Sequence, residues 1–184
     1  MKQTTINEPP MTPQATPLHP SHFHPVLLEI LEHFQIDLGK LEYCEDTGKR
    51  AEELGWEDTR SNVGKVHYGP HGINRILIED PISLRQADEV LCSSRFTAFQ
   101  KAHLHPSRDN GRLFTIHLLL HEIGHWEMGP ELPSKKEPGG RGKEGYNIST
   151  QELAAQLEEE DAVNTWAFSE MERLKFLPAD FPLK

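Results

Sequence analysis

The strongest chemical signal in this chain is five consecutive residues, His121, Glu122, Ile123, Gly124 and His125. On an α-helix, residues four apart share a face, so both imidazoles can reach one ion. Neutral imidazole is a good zinc ligand, and Glu122 is turned toward the same cleft. There it can take a proton from water activated by the metal. The pattern alone recurs by chance, and 11 His and 21 Glu in 184 residues raise that chance. Its surroundings carry more weight. Leu113, Phe114, Ile116, Leu118, Leu119, Leu120, Ile123 and Trp126 make the stretch from Arg112 to Met128 apolar on most of its circumference. That predicts a helix buried on more than one side. Two histidines and a glutamate buried there without partners would be costly, and a metal relieves the cost.

A third ligand is therefore expected. Ser149 and Glu152 form a capping-box pattern, which predicts a long last helix from near Thr150 to about Leu174. Alternating steps of four and three along it pass through Leu153, Leu157, Glu160, Asn164, Ala167, Met171 and Leu174. This stripe is apolar at both ends and polar only at Glu160 and Asn164, and such interruptions mark function or error. Glu160 is the expected ligand. Glu158 and Glu159 lie off the stripe and are read as solvated charges. Asn164 either hydrogen-bonds a zinc ligand or caps a polar pocket. A donor to the developing oxyanion is also needed, and Tyr146 and His117 are the candidates. His117 sits about 40° around the helix from His121, which favours packing or a supporting role. Gly124, mid-helix, costs ~1 kcal/mol relative to Ala and is expected to mark a close packing contact.

These two segments resemble the ImmA/IrrE-type zincin metallopeptidases. That family has H-E-x-G-H on one helix and, on a later helix, a segment of the form E-x-x-A-(N/D)-x-(F/W)-A. The matching stretch here is Glu160-Asp161-Ala162-Val163-Asn164-Thr165-Trp166-Ala167, with Val163 in place of the usual Ala. Arg112 to His121 is similar to the family's R-x-R-F-T-x-x-H run but longer before the first His. The resemblance spans residues 63–170. It implies zinc held by His121, His125 and Glu160, with Glu122 as general base. It also implies a regulatory protease acting on a protein or peptide substrate such as a transcriptional repressor.

The elements that must position these residues are legible in outline. Residues 1–24 are rich in Pro, Thr and Gln and read as a disordered leader. The metallopeptidase domain is expected over 25–184. Pro25 opens a helix with Leu27, Ile30, Leu31 and Phe34 at helical spacing. A polar helical segment at 49–54 ends at Gly55. Val66 and Tyr68, then Ile73, Ile76 and Ile78, flank a Gly69-Pro70-His71-Gly72 turn and read as a hairpin. Ser83 with Gln86 caps a helix expected to reach His103. Residues 133–148 read as a mobile Gly/Pro/Lys-rich loop with a basic cluster at Lys135, Lys136, Arg141 and Lys143. The expected class is α+β, a zincin-like domain with a small antiparallel sheet and a buried H-E-x-x-H helix.

Composition narrows the function classes. No run of ~18 apolar residues is present, so no membrane span is expected. Residues 1–20 hold five prolines and no apolar core for a secretory signal. Cys44 and Cys92 cannot form a disulfide framework, which favours a cytoplasmic setting. A net charge of −10 argues against general binding of nucleic acid. Three readings follow. The leading one is a zinc-dependent endopeptidase of narrow specificity. The second is a catalytically silent zincin-derived binding module with a structural zinc, which would not need Glu122. The third is a His-rich metal store with several weak sites.

Overall fold

The computed structural model describes residues 16–129, 150–177 and 181. It is a mixed α+β arrangement. Helix α1 (His24–His33) has Pro25 in its first turn and buries Leu27, Ile30 and Leu31. Strand β1 (Leu41–Cys44) leads to helix α2 (Thr47–Glu53). The Asp46 side chain caps α2 by accepting from the backbone N–H groups of Gly48 and Lys49. Strands β2 (Gly64–Gly69) and β3 (Gly72–Glu79) form the expected hairpin. Helices α3 (Leu84–Ser93), α4 (Ala98–Leu104), α5 (Arg112–Glu127) and α6 (Thr150–Arg173) follow. Among the described residues, no helix is long and apolar enough to cross a membrane.

The sheet order is β1-β3-β2, with β1 parallel to β3 and β2 antiparallel to it. The sheet is therefore mixed, not purely antiparallel as expected. The reason is β1, a strand of four half-buried residues with too short a pattern to announce itself. Its partner residues 76–79 lie far along the chain, so no turn signal points to the pairing. Central strand β3 carries the fully buried Ile76, Leu77 and Ile78. Strand β2 lies at the edge of the sheet and packs on α5.

Helix α5 is the structural centre. Eleven of its 16 residues are buried, and it touches α6, β2, β3, α1 and α4. Burial on several sides is what its apolar circumference predicts. A Cβ built on Gly124 would lie 2.9 Å from Trp166 Cε3 and 3.0 Å from Val163 Cγ1. The glycine thus lets α5 and α6 approach, which sets the separation between the two segments that carry the chemistry.

Three boundaries differ from expectation. The end of the predicted leader is packed: Leu18 is buried and exchanges both backbone hydrogen bonds with Ile82. It covers Gly111, whose left-handed φ of 80° starts α5. A single leucine amid prolines is a weak signal, but it anchors residues 16–24 to the core. The predicted helix from Leu84 to His103 is two helices. Ser94 turns extended, and Thr97 with Gln100 makes a second capping box that restarts the chain as α4. Finally, the apolar stripe of α6 is buried only in its second half. Ala167 and Met171 are fully buried, whereas Leu153 and Leu157 are 49% and 37% exposed. Helix α5 ends at Glu127, so the first turns of α6 run past its end.

Candidate metal centre

The packing of α5 on α6 brings three donors together. His121 Nε2 lies 3.2 Å from His125 Nε2 and 3.1 Å from Glu160 Oε2. His125 Nε2 lies 3.7 Å from Glu160 Oε1. One donor atom from each residue falls within 4.8 Å of the other two. Donors held ~2.0–2.1 Å from one zinc at tetrahedral angles stand ~3.3–3.4 Å apart, so these separations fit a common ion. Among the described residues, this is the one group of three or more His, Cys, Asp or Glu that could hold a metal.

Both imidazoles are oriented from α6. Asn164 is buried, and its Oδ1 lies 2.9 Å from His121 Nδ1. A carbonyl oxygen can only accept, so Nδ1 donates to Asn164 and Nε2 is turned toward Glu160. Glu159 Oε1 lies 3.7 Å from His125 Nδ1. That carboxylate favours a proton on Nδ1 and leaves Nε2 for an ion. Glu159 is not the solvated charge its place off the stripe suggests: its side chain is 15% exposed, against 49% for Glu160. Adjacent residues on a helix differ by about 100°, and here both flank the seam with α5. Its place immediately before Glu160 is the only signal, and it is not distinctive within an acidic run.

The electrostatics agree with a cation site. Burial alone would lower the His125 pKa, but the nearby Glu159 carboxylate and the charges of Glu122 and Glu160 hold it above its ordinary value. The field that favours a proton there also favours a metal cation in its place. Burial would raise the Glu160 pKa, yet the hydrogen bond to His121 and the charges of His121 and His125 hold it down. Glu122 is buried against β2, and burial lifts its pKa despite the nearby histidines. A carboxylate whose pKa is raised is a stronger base than an ordinary one.

His117 lies one turn before His121, away from the three donors. It is buried in an aromatic cluster, with ring centroids 5.3 Å from Phe96 and 4.8 Å from Phe168. Its Nε2 has no hydrogen-bond partner among the described residues. Burial, with a smaller push from His121, lowers its pKa to about 3. This depressed value has a consequence for stability. Below the unfolded value of ~6.5 the unfolded chain takes up a proton that folded His117 refuses, so stability present above pH ~6.5 is lost as pH falls toward 3. Between pH 6.5 and 5 the loss from this group is about 2 kcal/mol. Denaturant unfolding of the metal-free protein at both pH values is expected to show a smaller loss in His117→Phe than in the wild type.

The remaining histidines sit elsewhere. His67 stacks on Trp56, His103 on Phe99, His105 pairs with Asp88, and His19 pairs with Asp80. Tyr146, the loop 133–148 with its basic cluster, and Ser149 lie outside the described residues. No family model, curated protein or solved structure matches the chain.

Proposed function

We propose that this chain is a zinc-dependent endopeptidase with a zincin-like fold of the ImmA/IrrE type. The observation that carries this reading is the convergence of His121 Nε2, His125 Nε2 and the Glu160 carboxylate beside a buried glutamate. The donor set suits zinc: two neutral imidazoles and one carboxylate, each imidazole turned by a group on its far nitrogen. Bound zinc would supply a Lewis acid that polarises the scissile carbonyl and makes water acidic. His121, His125 and Glu160 would hold it. Glu122 would take the proton of the attacking water and deliver it to the leaving amine nitrogen. Asn164 and Glu159 would keep both rings in the ligating tautomer.

Three protein donors favour this reading over a structural zinc. Structural sites are closed by four protein ligands, and only three donors meet here among the described residues. A buried carboxylate with a raised pKa beside the ligands also has no part in a structural site. The proposed setting is the cytoplasm, and the proposed substrate is a protein partner such as a transcriptional repressor. Nucleic acid and membrane are not proposed as partners. The test is cleavage of a proteome-derived peptide library by zinc-loaded wild type, compared with a Glu122→Gln variant that retains its metal.

A further inference from the structure

One residue bears on the proposed chemistry without being a ligand or a base. Gly64 opens strand β2 and pairs with Ile78 in the antiparallel register with β3. Its φ lies outside the left-handed region, so the backbone does not demand glycine. Glycine inside a strand weakens it, and its presence there marks a close approach of another group. That group is Glu122. A Cβ on Gly64 would lie 2.6 Å from Glu122 Oε1, 3.1 Å from Glu122 Cδ and 2.9 Å from Leu118 Cδ1. We infer that Gly64 is a positioning residue for Glu122: the bare strand backbone is the wall that fixes where the carboxylate sits. This inference rests on the protease reading above for its meaning, but the contact itself does not.

The direction of yielding decides the consequence. Leu118 is 5% exposed and belongs to the main core, so its methyl group has little room to move. The Glu122 carboxylate is the far end of a flexible side chain beside the open metal cluster. An alanine at 64 therefore displaces the carboxylate most and presses on the Leu118 methyl as well. None of the three donors is among the three atoms nearest to the added carbon. A base displaced by about 1 Å can cost about 100-fold in rate.

The experiment has two arms on the full chain. In the first, Gly64→Ala is expected to bind zinc like the wild type and to lose about 100-fold in kcat with little change in KM, on a peptide selected from the library. Wild-type kcat in this variant would overturn the inference. In the second, the thermal midpoint of the zinc-loaded protein is measured for Gly64→Ala, Glu122→Ala and the double variant. Gly64→Ala is expected to lower the midpoint more in the wild type than in the Glu122→Ala background, where only the Leu118 contact remains. An equal drop in both backgrounds would overturn the inference. Should Gly64→Ala fail to fold, Gly64→Ala with Leu118→Ala removes the second contact and is compared with Leu118→Ala alone by the same two readouts. Failure of the wild type to cleave any peptide would count against the protease reading, while the thermal cycle still decides the contact.

Discussion

Glu122→Gln is expected to keep the wild-type zinc content and to lose cleavage by at least ~100-fold, the low end of what a positioned general base contributes. Glutamine has nearly the same shape as glutamate, so it can remain in the buried place beneath β2. It cannot accept the proton of an attacking water. The three donors are His121, His125 and Glu160, so nothing in the change removes a ligand. The measurement pairs metal analysis with mass-spectrometric detection of new peptide termini. Retained metal with lost cleavage assigns the base to Glu122. Cleavage that survives would remove Glu122 from the mechanism.

The second large effect is on the metal itself. Glu160→Ala is expected to weaken zinc binding more than Glu159→Ala or Asn164→Ala. The latter two orient His125 and His121 from outside the donor set, and such losses cost about 10–100-fold in affinity. Glu160 faces both imidazoles with its carboxylate oxygens, so its loss is expected to exceed the ~100-fold upper end of that range. Each 100-fold loss of affinity removes about 2.7 kcal/mol of metal-linked stability at saturating zinc. Competition against a zinc chelator of known affinity measures all three variants. A larger loss in Glu159→Ala than in Glu160→Ala would exchange their roles.

The chain's own pattern disclosed the two helices that matter and left their surroundings partly hidden. Helix α5 was legible because its apolar residues encircle it, and burial on several sides is the only stable outcome. Glu160 and Asn164 were legible because they interrupt an apolar stripe. Glu159 was not, because its partner His125 lies on another helix and only their packing brings them together. Gly64 was hidden for the same reason: a glycine near a strand's start has many explanations until a carboxylate is found against it. Strand β1 depends on a parallel pairing with residues that no local turn connects to it. The division of the predicted helix at Ser94 was written locally, in Thr97 and Gln100, but an earlier capping box at Ser83 had already accounted for a helix there. Leu18 shows the opposite case: within residues 16–24, a composition suited to disorder is overridden by the burial of Leu18 and Pro20.

The most direct test of the central claim is the metal content of the purified chain. Protein loaded with zinc and freed of excess metal is expected to hold about one zinc per chain, and His121→Ala is expected to lose it. Substoichiometric zinc in the wild type, unchanged by His121→Ala, would contradict a metal centre built from His121, His125 and Glu160.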